Sequence, residues 1–368
     1  MERDFLYAQD DVRVVLPQLK SKTMVKVKMK KIIKPILFLF MLCGIDSRNP
    51  SKKWVRVLSF AYNIAFLALF SVESYCFIMK SRYWAPLTTL FVYVVHLIMW
   101  WHIQLRMKDI LALTDLLNSL IGEIDYSTYK RLLKTSNVIR FSVIFLVSFD
   151  AILRSMQEVI FKHKYKLCPF KYWYPNMGNN VLIPIVLSKL EYTYVISTIS
   201  YSFAAYYIFY LFILSVCLRE RQRSKIQVWE LYRNVLNIFK RIEGTLSFLV
   251  ILLFLHIFHT FFKGLLFLLY AVRALSLPPP YIQCFDLAIN IALVIALLFS
   301  ADHVQQKADN LRVSLIACST ELNVQIKVLE DRKRLKLTGW GIFNLKKSLL
   351  LSIVAWFFTY TAILIQMQ

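Results

Sequence analysis

The sequence predicts an all-α, multi-pass membrane protein with seven transmembrane helices. Hydrophobic residues make up 58% of the chain and charged residues 18%, whereas soluble domains average about 45–50% and about 25%. Seven apolar segments reach about 18 residues or more, the length that crosses a hydrocarbon core of about 30 Å as a helix. Lys and Arg residues concentrate in alternate segments between them, which is the pattern expected of loops on the cytoplasmic side of a membrane.

Residues 1–54 are predicted to form a cytoplasmic amino-terminal segment. Within it, residues 32–45 are apolar but too few to span a bilayer, and they include Lys34 and Pro35. A basic run ending at Lys31 comes before them, an arrangement that resembles a signal peptide. A polar and acidic segment, residues 1–11, lies still further upstream, so we expect an interfacial or re-entrant helix instead.

Six predicted spans follow within residues 55–300, the predicted ligand-binding bundle. Their ranges are 57–79, 84–103, 138–161, 181–218, 247–272 and 281–300. The fourth is too long for one perpendicular crossing, so we expect it to tilt or to project beyond the bilayer.

Residues 301–347 are predicted to form a cytoplasmic anchor helix, because charged and apolar residues alternate there at near-helical intervals. Its apolar side is expected to pack against partner subunits. The apolar residues are Val304, Leu311, Leu315, Ile316, Leu322, Ile326 and Leu329. A seventh span lies within the last segment, residues 348–368.

Charge distribution predicts the orientation in the membrane. An odd number of spans puts the two termini on opposite sides of the membrane. The segments predicted on the same side of the membrane as the amino terminus carry several times as many Lys and Arg residues as the segments on the other side. The amino terminus is therefore predicted to be cytoplasmic and the carboxyl terminus extracellular. The net charge of +23 is accounted for by this topology and by attraction to anionic lipid, so nucleic acid is not a predicted partner.

Motifs for enzymatic chemistry and metal binding are absent from the sequence. It contains no GxSxG, HExxH, GxxxxGK[ST] or GxGxxG motif, so an enzyme is disfavoured and no cofactor is predicted. The six cysteines form no CxxC pair, and only Cys168 lies in a clearly external loop, which favours free thiols. His256 and His259 share a helical face without a carboxylate at ligand spacing, so no metal site is predicted.

Ionisable and aromatic residues in the outer halves of the predicted spans are candidates for ligand binding. Charges inside a membrane are costly and usually functional, and aromatic walls with a few polar groups suit a small organic ligand. The candidates are Asp150, Arg154, Glu158, Glu191, Tyr192, Tyr194, His259, Phe262, Tyr281, Gln283 and Asp286, with Lys263 and Asn290 at similar depth. Arg154 lies four residues from both Asp150 and Glu158, so it can form an intrahelical salt bridge with either. The alternative role of each charge is to neutralise a neighbour and hold the bundle together.

The last span carries a short motif. Thr359 and Tyr360 are followed by five mostly apolar residues and then by Gln366. This pattern resembles the TYhhhhhQF signature of insect gustatory receptors, with Met367 where the family usually has Phe. Residues 343–351 also resemble the family's approach to this helix.

The resemblance implies a tastant-gated, non-selective cation channel in the plasma membrane of a sensory neuron. Such a channel is a homotetramer, or a heterotetramer with related receptors, whose last helices line a central pore and whose cytoplasmic helices form a shared anchor. Its partners are a small-molecule tastant, permeant cations and membrane lipid. Thr361 stands where the sugar-receptor branch has Glu, which disfavours sugar as the ligand.

The last span also has the residue pattern of a pore-lining helix. Small and polar residues recur at intervals of three and four along one stripe, and its outer end is the predicted gate. The predicted pore and gate residues are Ser352, Ala355, Thr359, Ile363, Gln366 and Met367. The remaining surface, with Trp356, Phe357, Tyr360 and Leu364, is predicted to pack on other helices. The alternative is that small residues merely allow close helix contact in lipid.

Three other classes of membrane protein are alternatives. An insect odorant receptor-like channel subunit shares the predicted topology, but the motif at Thr359, Tyr360 and Gln366 favours the gustatory side. A G-protein-coupled receptor should carry DRY-like and NPxxY motifs, and neither is present. A transporter is disfavoured because no pair of Gly/Pro-broken helices suggests inverted repeats.

Overall fold

The protein is a bundle of long helices with two short β-ladders. This computed structural model describes residues 24–26, 29–45, a few helical positions between 57 and 71, and then 84–121, 123–160, 182–223, 228–273, 281–318 and 335–366. The helices are α1 Met29–Leu42, α2 Trp84–Ile121, α3 Tyr126–Ile160, α4 Leu182–Arg223, α5 Val228–Arg273, α6 Tyr281–Cys318 and α7 Lys347–Gln366. The strands β1 Met24–Lys26 and β2 Glu123–Asp125 pair antiparallel, as do β3 Thr338–Gly339 and β4 Phe343–Asn344.

Five of these helices, α2 to α6, are long and apolar enough to cross a membrane, and α7 is a shorter apolar helix. The predicted all-α, multi-pass membrane fold is therefore confirmed. Most of the first predicted span, residues 57–79, lies outside the described residues, and so does Cys168.

The helices extend well beyond the boundaries predicted for the spans. Helix α2 continues to Ile121 instead of ending near residue 103, and α3 begins at Tyr126 instead of residue 138. Helix α6 runs through residue 300 to Cys318, so the first part of the predicted anchor helix is a continuation of the sixth span. Hydropathy reports a change of environment at the bilayer surface, but a helix without Gly or Pro has no reason to end there.

Helix α4 forms the centre of the bundle and packs against α1, α2, α3, α5 and α6. Its middle is buried all round, which is typical of a helix inside a large core. The hydroxyls of two tyrosines on α4 donate hydrogen bonds to backbone carbonyls of α2. Tyr206 donates to the Ile110 carbonyl at 3.2 Å, and Tyr210 donates to the Leu113 carbonyl at 3.1 Å. A buried phenol needs such a partner, so these bonds determine how α4 and α2 align.

Helix α1 is a short helix packed into the groove formed by α2, α3 and α4. The Met29 amide donates to Asn118 Oδ1 at 3.2 Å, and Trp100 Nε1 donates to the Cys43 carbonyl at 2.8 Å. The helix ends at Leu42, and Gly44, with a φ of 71°, reverses the chain just beyond it. Its fourteen residues agree with a segment too short to span a bilayer, while its depth in the membrane stays a prediction.

The apolar stripe that was predicted to pack against partner subunits is instead covered by other helices of the same chain, where it is described. Val304, Leu311 and Leu315 are buried in the core of the bundle, and Lys307 Nζ donates to both the carbonyl and the hydroxyl of Ser215 on α4. Because α6 continues straight out of the sixth span, its inner face stays against α4 and α5. The remaining stripe residues Leu322, Ile326 and Leu329 lie outside the described residues.

A β-hairpin leads from this region into α7. Ile342 donates its amide to the Gly339 carbonyl at 2.9 Å across a tight turn in which Trp340 and Gly341 have φ of 49° and 72°. Gln305 on α6 holds the base of the hairpin, because its amide nitrogen donates to the Leu345 carbonyl at 2.7 Å and its oxygen accepts from the Leu337 amide at 3.1 Å. These bonds fix where α7 starts.

Candidate functional site

A charged cluster joins three helices inside the bundle. Arg154 on α3 donates to Asp150 one turn earlier at 2.8 Å and to Asp286 on α6 at 2.5 Å. Asp150 is fully buried and also accepts a hydrogen bond from the Ser197 hydroxyl on α4 at 3.1 Å. The predicted intrahelical pair of Asp150 and Arg154 is confirmed. One guanidinium thus bonds to two carboxylates from different helices.

A small cavity of about 50 Å³ opens beside this cluster. Five helices contribute to it, and its wall is polar and apolar in about equal parts. Its lining residues are Val92, Arg154, Ile196, Ser197, Tyr201, His256, His259, Thr260, Lys263, Asp286 and Asn290. A cavity holds a water molecule once about 10–15 Å³ is accessible to it, so this space suits a few waters, or a small part of a ligand, in the conformation described.

His256 in the cavity wall is paired with a second histidine, His96, which does not line the cavity. His96 on α2 meets His256 on α5 edge to face, with ring centroids 4.7 Å apart. His96 Nδ1 lies 2.7 Å from the Val92 carbonyl, which can only accept, so Nδ1 carries a proton. His96 Nε2 lies within hydrogen-bonding distance of the Ser200 hydroxyl, at 2.8 Å. These contacts fix the orientation of the His96 ring.

Three buried polar atoms near the cavity have no hydrogen-bond partner within the part of the chain that the structure describes. They are His256 Nδ1, Asn290 Oδ1 and Gln283 Oε1. Buried polar groups are nearly always satisfied, by water if not by protein. The unpaired atoms on the cavity-lining His256 and Asn290 therefore mark positions where water or a bound molecule would form hydrogen bonds.

The predicted ligand-binding residues divide into three groups. Arg154, His259 and Asp286 line the cavity, and Asp150 supports it from behind. Phe262 faces α7 instead, where its ring contacts Tyr360, and Gln283 is near the cavity without lining it. The side chains outside the described residues are Glu158, Glu191, Tyr192, Tyr194 and Tyr281.

Several cavity residues were not predicted from the sequence. Ser197, Tyr201 and Thr260 are common residue types at unremarkable positions, and no local pattern distinguishes them from core residues. His96 carried a usable signal, since a histidine inside a predicted span is unusual. Its importance depends on His256, which is 160 positions away in the chain and next to it in space.

Helix α7 packs on α5 through its aromatic residues. Trp356, Phe357 and Tyr360 meet Phe258, Phe261 and Phe262 in turn, with ring centroids 5.5, 6.1 and 5.4 Å apart. All three contacts are edge to face, the arrangement favoured by aromatic quadrupoles. This agrees with the packing role predicted for Trp356, Phe357 and Tyr360, while the side chain of Leu364 lies outside the described residues.

The small and polar stripe of α7 is exposed in this chain. Ser352, Ala355, Thr359, Ile363 and Gln366 all lie on the surface, away from α5. The Thr359 hydroxyl donates to the Ala355 carbonyl one turn earlier, at 2.9 Å. Met367, the remaining predicted gate residue, lies outside the described residues.

Helix α5 takes part in both regions. His256, His259, Thr260 and Lys263 line the cavity, whereas the interleaved Phe258, Phe261 and Phe262 contact α7 on the other side. A displacement of α5 at the cavity would therefore move the surface against which α7 packs.

The sequence matches no protein-family model and no curated protein. Solved structures with a similar fold include the insect olfactory receptor OR5 from Machilis hrabei, with a TM-score of 0.68 at 14% identity over 92% of this chain and 99% of that chain. A structure of the same receptor in complex with eugenol has a TM-score of 0.67 at 16% identity, with 92% and 99% coverage. At these identities the likeness concerns the fold, and the chain has the fold of these insect olfactory receptor structures.

Proposed function

We propose that this chain is a subunit of a tetrameric, ligand-gated cation channel with a chemosensory role, in which α7 lines the pore. The observation that carries the proposal is that two faces of α7 differ in burial and in residue type. Its aromatic face is packed on α5, while a stripe from Ser352 to Gln366 remains exposed. A helix facing lipid gains nothing from an exposed amide such as that of Gln366, whereas four such helices around an axis would line a water-filled path.

A gustatory role is the more specific form of this proposal. The motif at Thr359, Tyr360 and Gln366 supports it, and Thr361 argues against a sugar as the tastant. An odorant-gated channel is the second candidate, favoured by the fold shared with OR5, which is known in complex with eugenol. In both cases a small organic molecule acts at the cavity, the plasma membrane is the site of action, and α5 carries the effect to α7.

The cavity must enlarge to accept a whole ligand of that kind, since about 50 Å³ is well below the several hundred Å³ typical of ligand pockets, roughly 300–1,000 Å³. Entry of a ligand between α4, α5 and α6 would push α5 outward. Because α7 packs on α5 through aromatic contacts, α7 would then shift with α5. Ligand binding at the cavity would in this way change the position of the gate residues.

The proposal is tested by recording whole-cell current from cells that express the full chain, with a panel of bitter compounds, sugars, amino acids and volatile aromatics. We expect a ligand-evoked cation current and an altered ion selectivity in Gln366→Ala. Ile363→Ala should leak without ligand, because removal of apolar bulk widens a constriction that excludes water.

Ile291→Ala on α6 is the matched control, because Ile291 and Ile363 are both 44% exposed in the subunit. It should leave basal current unchanged. Well-expressed channels in which Ile363→Ala and Ile291→Ala behave alike, with Gln366→Ala retaining wild-type selectivity, would remove α7 from the pore. Bitter compounds as activators would support the gustatory role, and volatile aromatics the second candidate.

A further inference from the structure

We propose that the neighbouring exposed faces of α1 and α3 form a binding surface for the headgroup of an anionic phospholipid. We call it the α1–α3 basic surface and define it by four exposed residues: Lys31, Lys34, Arg131 and Lys134. This inference goes beyond the proposed function and does not depend on it.

The two helices begin side by side and run in the same direction. Strand β1 leads into α1 and strand β2 leads into α3, and these strands pair antiparallel, with Val25 opposite Ile124. Further along, the Arg140 guanidinium on α3 lies 6.0 Å from the Phe38 ring centre on α1 and 4.6 Å from that of Phe141. Equivalent levels of α1 and α3 are therefore neighbours over about three turns.

Both helices show the same order of residue types along their exposed faces. On α1, Lys31 and Lys34 are followed by the exposed Phe38, and all three lie on one face at intervals of three and four. On α3, Arg131 and Lys134 are followed by Val138, Phe141 and Phe145, again at intervals of three and four and again exposed. Two adjacent helices thus change from cationic to apolar at matching levels.

This change indicates the boundary between headgroups and hydrocarbon. Exposed apolar side chains on a helix able to span the membrane face lipid tails, so the cations one to two turns earlier lie at headgroup level. Arg140, whose guanidinium lies close to the rings of Phe38 and Phe141, is held at the level of this boundary by cation–π contacts.

The charge at this level is uncompensated on the surface itself. Lys30 is paired with Asp115 at 3.0 Å, but none of the four defining residues has a salt bridge to another described residue in the same region. Basic clusters next to a span attract anionic headgroups, with a contribution of about 1 kcal/mol for each Lys or Arg. The charge bias of the sequence predicts that this surface faces the cytoplasm, the side on which anionic lipids are enriched.

The apolar faces make a phospholipid the occupant and not a free anion. A bound phosphate would use only the cationic turn, whereas a phospholipid places its headgroup on the cations and its tails along Phe141 and Phe145. Helix α7 packs on α5 and α6, on a different part of the bundle from this surface, so a pore built from α7 leaves the α1–α3 basic surface open to the bilayer.

The test measures lipid binding to the full chain, purified in detergent and titrated with phosphatidylserine or phosphatidylcholine, by native mass spectrometry. We expect the wild type to retain phosphatidylserine in preference to phosphatidylcholine. We expect that preference to fall by at least about tenfold in the variant with Lys31→Gln, Lys34→Gln, Arg131→Gln and Lys134→Gln. A charge-preserving variant, with Lys and Arg exchanged at the same positions, should keep most of the binding and so separates loss of charge from misfolding.

A control variant removes the same charge from other exposed positions. It carries Arg233→Gln, Lys240→Gln, Arg241→Gln and Lys346→Gln, on α5 and before α7. Retention of phosphatidylserine by the control, together with its loss from the first variant, supports the proposal. Equal losses in both variants, no loss in either, or displacement of phosphatidylserine by an equal concentration of inorganic phosphate would each overturn it. Channel current does not enter the measurement, so its result is independent of the proposed function.

Discussion

Arg154 is the residue on which the polar interior of this bundle depends. It contacts carboxylates from two helices: Asp150 is fully buried, and Asp286 lines the cavity. A buried ion pair contributes little compared with an apolar replacement, but loss of one partner leaves charge without compensation. The cluster therefore specifies how α3 and α6 meet more than it adds net stability.

Arg154→Met should be strongly destabilising, because Asp150 and Asp286 would both lose the guanidinium that is bonded to them. We expect a loss of about 3–5 kcal/mol, measured as a lower thermal unfolding midpoint of the purified protein and a smaller monodisperse fraction. Arg106→Met is the control, since Arg106 and Asp109 form an exposed pair at 2.9 Å that should contribute about 0–1 kcal/mol. Equal effects of the two substitutions would contradict a structural role for the buried cluster.

At the scale of elements, the hairpin before α7 has the tightest geometric requirement. Glu243 on α5 accepts from both the amide and the hydroxyl of Thr338, and that hydroxyl also accepts from the Gly341 amide. Phe343 returns over Gly339, so that a side chain at position 339 would overlap its ring. The hairpin thereby ties the start of α7 to α5 and α6 together.

Gly339→Ala should destabilise the subunit by about 1–3 kcal/mol, the usual range for an overpacked site. Gly244→Ala is its matched control. A Cβ there meets nothing within 4 Å, and replacing a helical Gly should stabilise by about 0.5–1 kcal/mol. Thermal unfolding of the two variants should therefore shift in opposite directions. Shifts of the same sign would show that the hairpin tolerates a side chain at Gly339.

At the scale of the whole molecule, the exposed apolar faces differ in what they are expected to meet. The outer face of α3, with Phe141 and Phe145, adjoins the α1–α3 basic surface and is expected to contact lipid tails. Helix α7 has a second exposed apolar face, with Leu351, Val354 and Phe358, next to its small and polar stripe. In a tetramer around α7, that face meets the neighbouring subunit.

Leu351→Ala with Phe358→Ala should therefore weaken assembly, because helices in lipid associate through close van der Waals packing. We expect a shift from tetramer to smaller species on native gels or in light scattering of the purified protein. Phe141→Ala with Phe145→Ala is the control and should leave assembly intact, since Phe145 is 64% exposed and Phe358 69%. Tetramers that persist in both variants would place the subunit interface elsewhere.

The sequence by itself determined the features that depend on neighbours along the chain. The length of the apolar segments predicted the spans. The spacing of four residues predicted the pair of Asp150 and Arg154, and helical periodicity predicted the aromatic face of α7. Each of these follows from local geometry, in which residues three or four apart share a helix face.

Only the tertiary structure decided which distant residues meet and which faces are covered. Asp286 reaches Arg154, and His256 reaches His96, because α4 holds α2, α3, α5 and α6 around it in one arrangement, and no local pattern encodes that arrangement. The burial of Leu315 and the continuity of α6 past residue 300 have the same origin. Hydropathy records where the environment changes, but the packing of a neighbouring helix determines where an element ends and which of its faces remains free.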